Sequence, residues 1–257
     1  MLTGGVTVGK ISYEACSVIE NKEIAEGIYR IGVKGNFKAL PGQYFMVRAW
    51  EEEPLLSRPI SLHKCHEDEY YFLYQVVGRG TELLKKVLPG DEINIMGPLG
   101  NGFPTGELKG NIAVVAGGIG IAPFEEVVNK LKENKNVTSI EVYAGFRREV
   151  YGVSNIEKSA DKLIITTEDG SSGKKGYVTD GLDLASYDMV LCCGPEVMMN
   201  KVVNMCKELK IPCLVSTEKR MACGVGACFG CTCKTKDGNK RSCVEGPVFE
   251  GQELILK

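Results

Sequence analysis

A chain of 257 residues exceeds the usual size of one domain, so we expect two domains, or two domains with a small appendage. Apolar residues make up 44% of the sequence and charged residues 25%, which excludes a disordered or fibrous protein. The formal net charge of −2, with no basic block longer than a pair, argues against a protein that binds nucleic acid.

The N-terminal stretch MLTGGVTVGKISYEA lacks the basic start and the unbroken apolar run of a secretory signal, so we expect no export. The longest nearly apolar run, IAVVAGGIGIAPF, is too short and too rich in glycine to cross a bilayer. We therefore expect a cytoplasmic protein without a membrane segment. In that reducing compartment clustered cysteines more often hold metal than form disulfides.

Residues 1–105 contain short β-like runs separated by turn residues. The runs are YRIGVKG, QYFMVRAW, YYFLYQVVG and DEINIMG, and the turns between them include PGQ, LPGD and GPLGNG. Even spacing of short strands favours a small antiparallel β-barrel or sandwich. We predict a β domain over residues 1–105.

The stretch LLSRPISLH in this half carries candidate binding residues. Arg58 and Ser61 lie three residues apart around Pro59; an arginine fork suits a pyrophosphate, and a hydroxyl suits the edge of a flavin ring. The only histidines, His63 and His66, flank no evident pair of carboxylates, so we expect them to be surface or structural residues.

Residues 106–218 alternate between strand and helix patterns, which indicates a parallel sheet with crossover helices. The predicted strands are NIAVVAGG, SIEVYAGF, DKLIITTED, DMVLCCGP and PCLVSTE, and the predicted helices are PFEEVVNKLKEN and EVMMNKVVNMCKEL. After Glu218 this regular pattern stops.

Two turns at the carboxyl ends of predicted strands form a candidate dinucleotide site. The first, VVAGGIGIAPF, leaves its strand through glycines and enters a helix whose free N–H groups and positive dipole end suit a pyrophosphate. The second, LCCGPEVMMN, lies at the edge of the sheet where such folds bind ligands, so the two turns are expected to line one crevice. The residues concerned are Gly117, Gly118 and Gly120 in the first turn, and Cys193, Gly194 and Pro195 in the second.

Five of the eleven cysteines lie within RMACGVGACFGCTCKTKDGNKRSC, inside a predicted cluster-binding segment over residues 219–257. The spacing Cys223-x4-Cys228-x2-Cys231-x11-Cys243 is that of plant-type ferredoxins and predicts a [2Fe-2S] cluster. Glycines at 224, 226 and 230 let the backbone curl so that its N–H groups point at the sulfur atoms. Cys233 lies outside the ligand set, and by strand alternation we expect it to face the core.

Other roles for the cysteines fit less well. A structural zinc site usually shows two C-x2-C-like knuckles, whereas here the first two cysteines are separated by four residues and the fourth stands alone. Disulfides would not persist in a reducing compartment. The remaining six cysteines lie in apolar stretches and are expected to be small buried hydrophobic residues; they are Cys16, Cys65, Cys192, Cys193, Cys206 and Cys213.

Together, RPIS, GGIGIAP and CGPEVMM resemble the ferredoxin–NADP reductase superfamily over nearly the whole chain. The resemblance implies an FAD-binding barrel followed by a nicotinamide-nucleotide domain. The implied FAD residues are Arg58, Pro59, Ile60, Ser61, Leu73, Tyr74, Gln75, Gly80 and Thr81. The implied nucleotide residues are those of the two turns, Gly117, Gly118, Gly120, Cys193, Gly194 and Pro195.

The sequence departs from this superfamily at two places. Ile60 stands where many members have an aromatic residue, and the cysteine segment replaces the aromatic C-terminal lid of plant-type reductases. The order of barrel, nucleotide half and CGVGACFGC…SCVEGPVF resembles the electron-transfer subunits of NAD-dependent, two-subunit dihydroorotate dehydrogenases.

This closer resemblance implies NAD as the nucleotide and, as partner, an FMN-containing catalytic subunit that oxidises dihydroorotate in pyrimidine synthesis, with two copies of each subunit. Electrons would pass from that subunit through the cluster and FAD to NAD⁺. A nicotinamide exchanges electrons in pairs whereas a two-iron cluster passes them singly, so a flavin that does both is needed between them. The scheme requires no acid–base or nucleophilic residue in this chain.

Two alternatives stay open. The chain could be the flavin subunit of another NAD(P)H-linked oxidoreductase, such as a ferredoxin-dependent transhydrogenase, a sulfide dehydrogenase or a hydrogenase-linked reductase. It could instead be a non-redox adaptor with a zinc-stiffened tail, which would be colourless. The nucleotide is also open from the residues alone, because Arg147 and Arg148 follow the second strand of the α/β half and could hold the 2′-phosphate of NADP.

Overall fold

The structure, a computed structural model, describes residues 10–256. Residues 1–9 of the predicted β domain and residue 257 of the predicted cluster segment therefore lie outside the described residues. The chain forms an antiparallel β-barrel, a mainly parallel sheet with helices on both faces, and a C-terminal segment that holds the clustered cysteines. The predicted fold class is confirmed.

The barrel is closed, with β1 pairing to β6, and every strand pair in it is antiparallel. Its core contains large side chains that point inward from alternate strand positions, including Phe45 and Phe72, and Leu84 of the short helix α1 (Arg79–Leu84) joins them. Around the barrel the strand order is β1, β2, β5, β4, β3, β6. The strands are β1 (Ser12–Ala25), β2 (Ile28–Lys34), β3 (Tyr44–Arg48), β4 (Arg58–His66), β5 (Glu69–Gln75) and β6 (Glu92–Leu99).

The second sheet has the order β10, β9, β8, β7, β11, β12, β15, and all its pairs are parallel except β12 with β15. One apolar cluster packs α2 and α3 on one face, and a second packs α4 on the other. The strands are β7 (Gly110–Gly117), β8 (Val137–Phe146), β9 (Lys162–Thr167), β10 (Lys174–Lys175), β11 (Met189–Cys193) and β12 (Cys213–Ser216). The helices are α2 (Phe124–Glu133), α3 (Ile156–Ser159) and α4 (Glu196–Leu209), with a 3₁₀ turn at Gly118–Ile121.

After Glu218 the alternation of strand and helix stops, as expected, but three short strands follow that were not predicted. The segment contains a hairpin of β13 (Thr232–Thr235) and β14 (Gly238–Arg241), and β15 (Val248–Glu250) adds to the edge of the nucleotide sheet beside β12. Strands this short show no usable periodicity in the sequence. The C-terminal segment is thus built into the sheet.

Two barrel strands, β1 and β4, were not among the predicted runs. β1 contains several charged residues, and only two of its 14 residues are buried. Its sequence therefore lacks the apolar alternation of a half-buried strand. β4 contains Pro59, a residue that is depleted in strands. No helix within residues 10–256 has both the length and the apolar character needed to cross a membrane.

Candidate functional site

The cysteine loop is folded so that its backbone faces its own sulfur atoms. The Cys228 N–H donates to the Cys223 Sγ at 3.4 Å, and the Gly230 N–H donates to the Cys228 Sγ at 3.5 Å. Burial alone would raise the pKa of Cys223, but N–H groups of residues 225, 227 and 228 outweigh it and lower that pKa to about 6. The prediction that N–H groups point at the sulfurs is confirmed, and such a loop favours thiolates.

The four predicted ligand cysteines lie in one region, arranged as two pairs. Side-chain hydrogen bonds join Cys223 to Cys228 and Cys231 to Cys243. The charge of Cys223 also contributes to raising the pKa of Cys243. Within residues 10–256, no group of three or more His, Cys, Asp or Glu side chains is placed to hold a metal ion. The grouping in pairs is compatible with a binuclear cluster, because each iron of a [2Fe-2S] rhomb takes two thiolates.

The other cysteines do not join this set. Cys233 of β13 is 5% exposed, packs in the core with α4, and donates its thiol to the Lys240 carbonyl oxygen at 3.3 Å, so its predicted inward orientation is confirmed. Of the six scattered cysteines, five are buried and Cys65 is half-buried, as expected for small hydrophobic residues.

The cluster loop is seated on the outside of the barrel. Cys231 and Cys243 pack with Met46 and Leu99, and a side chain at position 224 would come within 2.9 Å of the Met46 Cγ. The buried Tyr44 hydroxyl lies 3.2 Å from the Gly224 carbonyl oxygen and 3.5 Å from that of Cys243, to which it can donate. Because Tyr44 pairs with Ser61 of β4, the loop rests one strand away from the predicted flavin residues.

Arg58 and Gly80, both predicted to bind FAD, lie against each other. A Cβ at position 80 would come within 2.5 Å of the Arg58 Nε, so only glycine leaves room for the guanidinium there. The guanidinium also lies over the Trp50 ring, with its central carbon 5.3 Å from the ring centroid. Burial lowers the pKa of Arg58 from its usual value. A partly desolvated guanidinium beside exposed backbone is suited to a pyrophosphate.

Several other predicted flavin residues turn their side chains away from solvent. Ile60 and Tyr74 belong to the barrel core, and the Tyr74 hydroxyl donates to the Asn21 Oδ1 at 3.0 Å. The Thr81 hydroxyl is used within its own turn, where it accepts from the Gly78 N–H at 3.2 Å. At these three positions the side chain is directed into the protein and not toward a cofactor. Leu73 is also buried, and Pro59 and Ser61 are half-buried.

The two predicted nucleotide turns touch each other backbone to backbone. A Cβ at Gly120 would lie 2.4 Å from the Cys193 carbonyl oxygen, and a Cβ at Gly194 would lie 2.9 Å from the Gly117 nitrogen. These glycines are therefore required by close approach rather than by turn geometry alone. Cys193 is buried beneath this contact, and burial raises the pKa of its thiol well above the usual value.

A cavity of about 1220 Å³ joins the barrel to the nucleotide turns. Gly117, Gly118, Gly120, Gly194 and Pro195 line it, so the prediction that the two turns share one crevice is confirmed. Gln75, the last residue of β5 and a predicted flavin residue, lines the same cavity from the barrel side. A cofactor held by the barrel and a nucleotide held by the turns would meet here.

Two residues of this cavity were missed by the sequence reasoning. Glu218 lies two residues after the end of β12, where its exposed side chain lines the cavity, and partial desolvation by the cavity walls raises the pKa of its carboxyl group. Tyr151 lines the cavity nearby, and burial followed by the charge of Glu218 raises its pKa to about 12. The available signal was the position of Glu218, the last residue of the predicted strand PCLVSTE, at the ligand-binding edge of the sheet.

Family models match two parts of the chain. The model described as "Iron-sulfur cluster binding domain of dihydroorotate dehydrogenase B" matches residues 218–255, and the model "Oxidoreductase NAD-binding domain" matches residues 114–204. The first match contains all four predicted ligand cysteines, and the second contains both glycine-rich turns.

Curated relatives extend the likeness over the full length. A protein of Clostridium acetobutylicum named dihydroorotate dehydrogenase B (NAD(+)), electron transfer subunit, is 51% identical over 247 residues, covering 96% of this chain and 99% of the relative. A protein of the same name from Clostridium perfringens is 47% identical over 244 residues, covering 95% and 98%.

Solved structures agree with the fold. The structure described as "Insights into flavin-based electron bifurcation via the NADH-dependent reduced ferredoxin-NADP oxidoreductase structure" aligns with a TM-score of 0.84 at 29% identity, covering 99% of this chain and 92% of the other. A flavohemoglobin from Malassezia yamatoensis with bound FAD and heme aligns with a TM-score of 0.63 at 19% identity, covering 77% and 57%, a likeness of fold alone.

Replacing Cys228 with serine is expected to remove the cluster while leaving FAD bound, because Cys228 is a predicted ligand and the predicted FAD residues lie in the barrel. The measurement is the visible spectrum with iron, sulfide and flavin quantified. Cys233→Ser is the matched control, since Cys233 lies in the same segment but outside the ligand set, and it should keep its iron. Unchanged iron in Cys228→Ser would show that the ligand set is wrong.

Replacing Arg58 with alanine is expected to weaken FAD binding about ten- to a hundredfold, since hydrogen bonds to a charged group contribute about 1.5–3 kcal/mol. The measurement is the dissociation constant of FAD, followed by the quenching of flavin fluorescence. Arg148→Ala, at an exposed arginine of the nucleotide domain, serves as the control and should retain FAD. Equal FAD affinity in both variants would remove Arg58 from the flavin site.

Proposed function

Because this chain belongs to the family of electron transfer subunits of dihydroorotate dehydrogenase B (NAD(+)), we propose that it carries electrons from a catalytic subunit to NAD⁺. The pathway is the biosynthesis of UMP, in which dihydroorotate is oxidised to orotate on the partner. The proposed order of sites is the [2Fe-2S] cluster, then FAD, then the nicotinamide. The organic substrate is handled by the partner subunit, and this chain performs the NAD-dependent half of the reaction.

The observation that carries this proposal is the shared cavity at the junction of the two domains. Gln75 from the barrel and Gly118, Gly120 and Gly194 from the nucleotide turns line one space of about 1220 Å³. Direct hydride transfer needs the two reacting rings within contact distance, and a common cavity meets that requirement. The cluster loop, seated beside Tyr44 on the strand next to β4, supports a route from the cluster to the same barrel.

The protein residues in this scheme bind and orient the groups. A bound flavin supplies the exchange between paired and single electrons. Arg58 neutralises a pyrophosphate, and Gly80 gives it room. Gly118, Gly120 and Gly194 let the backbone approach the nucleotide. The sulfur atoms of Cys223, Cys228, Cys231 and Cys243 would hold the cluster, and N–H groups of the loop favour the thiolate form of Cys223.

We propose the division of the chain into residues 1–105 for FAD, 106–218 for NAD and 219–257 for the cluster. The last strand of the barrel ends at Leu99 and the first strand of the sheet begins at Gly110, which supports the first boundary. We also propose a cytoplasmic location. It is supported by the proposed cluster, because its four cysteine ligands must stay reduced rather than form disulfides.

The partner is proposed to be an FMN-containing catalytic subunit, in an assembly with two copies of each subunit. Val225, Phe229 and Val244 form a patch of exposed apolar side chains at the loop of the exposed Cys228: the first two lie in that loop, and a Cβ at Gly226 would lie 2.7 Å from the Val244 Cγ2. Exposed apolar side chains grouped in this way are typical of protein interfaces. We propose that this patch contacts the catalytic subunit, which brings that subunit to the cluster.

A second candidate is the flavin subunit of a ferredoxin-linked oxidoreductase. The TM-score of 0.84 to the structure of the NADH-dependent reduced ferredoxin-NADP oxidoreductase favours it, since that alignment spans 99% of this chain. The two candidates share the three sites and differ in the electron donor. Reduction of the cluster by dihydroorotate through a co-purifying subunit supports the first, whereas reduction only by ferredoxin supports the second.

The proposed relay is tested by an anaerobic visible spectrum of the purified protein, with iron, sulfide and flavin quantified, before and after NADH. We expect flavin and cluster absorption, both of which bleach with NADH. Addition of NADPH to a second sample is expected to bleach them far more slowly. A colourless protein that takes up only zinc would support the adaptor, and faster bleaching by NADPH would assign the nucleotide to NADP through Arg147 and Arg148.

Replacing Phe229 with aspartate is expected to weaken binding of the catalytic subunit by at least about 2 kcal/mol, because a charge replaces an aromatic residue at an interface centre. Co-elution of the two purified subunits on size exclusion measures this. Leu88→Asp, at a barrel residue that is 66% exposed and distant in the fold, is the control. The iron content must be the same in both variants, so that any loss of binding is not due to loss of the cluster. Equal co-elution of the two variants with the catalytic subunit would show that the interface lies elsewhere.

A further inference from the structure

His63 lies at the seam between the barrel and the nucleotide domain, with both ring nitrogens in contact with the second domain. The residue belongs to β4, two positions after Ser61, and is 3% exposed. Its Nδ1 is 2.7 Å from the Ala122 carbonyl oxygen, and its Nε2 is 3.1 Å from the Glu125 Oε2. Glu125 is also nearly fully buried, at 3% exposed.

The hydrogen-bond roles of this pair follow from the chemistry of the atoms. A carbonyl oxygen only accepts, so Nδ1 must carry a hydrogen and donate to Ala122. The Nε2 contact with a carboxylate oxygen then requires a second proton between those two atoms. Burial alone would raise the pKa of Glu125, but the hydrogen bond and charge of His63, with help from Asn155 and Lys64, lower it. That proton joins the two side chains in a hydrogen bond, so both ring nitrogens of His63 are held by residues of the second domain.

The second oxygen of the Glu125 carboxylate also has hydrogen-bonding and charged partners. The Asn155 Nδ2 donates to the Glu125 Oε1 at 2.9 Å, and the Lys64 Nζ lies 3.8 Å from the same oxygen. Arg30 of β2 adds a more distant positive charge. A buried carboxylate with every oxygen paired holds one geometry, because moving it would leave a desolvated charge without a partner.

The contacts of His63 connect the two proposed redox sites directly. On the barrel side it continues the strand that carries Arg58 and Ser61. On the other side Ala122 ends the 3₁₀ turn of the glycine-rich loop, and Glu125 lies in the first turn of α2. A parallel contact, from the Cys65 N–H to the Glu126 Oε2 at 3.2 Å, joins the same two elements.

The residues around His63 are closely packed, so even a small displacement of β4 against the second domain would meet a neighbouring side chain. A Cβ at Gly152 would lie 2.9 Å from the Leu73 Cδ1 and 3.9 Å from the His63 Cε1. Leu73 comes from β5, whose last residue, Gln75, lines the shared cavity. The seam therefore continues to the edge of the site where flavin and nicotinamide are proposed to meet.

We propose that His63 and Glu125 are positioning residues that fix the nicotinamide loop relative to the flavin strand, and so set the geometry for hydride transfer. Neither residue lines the cavity, so both act through the elements that they join. The inference rests on the proposed function, since it needs a flavin on the barrel and a nicotinamide on the loop. A displacement of about 1 Å at such a junction can slow the transfer about a hundredfold.

The test compares His63→Gln and Glu125→Gln with two controls, His66→Gln and Glu133→Gln, which lie on the same strand and the same helix but are exposed. Stopped-flow mixing of the FAD-loaded, cluster-loaded chain with NADH gives the hydride-transfer rate constant and the NADH concentration at half-saturation. We expect the rate constant to fall about ten- to a hundredfold in both seam variants. Flavin content and half-saturation should stay unchanged, and the controls should match the parent.

A second spectroscopic readout separates positioning from stability. Reduced flavin stacked on NAD⁺ gives a long-wavelength charge-transfer band, whose intensity depends on ring overlap. We expect this band to weaken in His63→Gln and Glu125→Gln, and the double variant to lose no more than either single one, because the two residues act as a unit. Lower melting temperatures with an unchanged rate constant and an unchanged band would reduce the pair to a stabilising contact and overturn the inference.

A third measurement needs no variant and no turnover. The chain has two histidines, so ¹⁵N labelling of histidine gives two ring systems in a magnetic resonance spectrum. We expect the Nδ1 hydrogen of His63, buried and bonded to Ala122, to exchange slowly with solvent, and the ring hydrogens of the exposed His66 to exchange rapidly. Exchange of the His63 Nδ1 hydrogen as rapid as that of His66 would show that the contact with Ala122 does not persist, and would overturn the inference. If instead NADH fails to reduce the parent protein, the proposed function itself falls, which distinguishes the two failures.

Discussion

Strand β4 holds the three proposed sites at fixed separations. Arg58 and Ser61 lie in its first half, and Tyr44 on the neighbouring strand pairs with Ser61 and contacts the cluster loop at Gly224. His63, further along the same strand, contacts the nicotinamide loop at Ala122. Since spacing along and between strands is set by the hydrogen-bonded ladder, the sites are positioned by rigid backbone and two buried side chains rather than by linkers.

The C-terminal segment depends on both domains for its place. Asn101, in the connection after the barrel, accepts from the Val248 N–H at 2.9 Å and donates to its carbonyl oxygen at 2.8 Å, so it pairs like a strand residue. Position 100 has a φ of +67°, and a Cβ there would lie 2.5 Å from the Gly246 carbonyl oxygen. β15 then completes the edge of the nucleotide sheet. The proposed boundary at residue 218 therefore marks a change in sequence character more than a separable unit.

Much of this arrangement was predictable from the sequence because it depends on local patterns. The apolar run of NIAVVAGG and the amphipathic pattern of PFEEVVNKLKEN specify β7 and α2 before any tertiary contact is known, and the cysteine spacing predicts a set of four ligands. The rest depends on contacts between distant residues. His63 and Glu125 are 62 positions apart in the sequence, and neither has a neighbour that marks it as one half of a buried pair. Glu218 becomes notable only when β12 is seen at the cavity, and β15 only when β12 offers it an edge.

Burial divides the four cysteines into an outer and an inner pair. Cys228 is exposed and Cys223 half-buried, whereas Cys231 and Cys243 are 2% and 3% exposed and pack against the barrel with Met46 and Leu99. The outer pair lies at the exposed apolar side chains proposed to meet the partner, and the inner pair packs against β3, the strand beside the proposed flavin residues of β4. Burial raises the pKa of Cys243 to about 12, while loop N–H groups lower that of Cys223 to about 6, so the two sides also differ electrostatically. A cluster held by these pairs would have one side toward the partner and the other toward the barrel, which gives the relay a direction that follows from the fold.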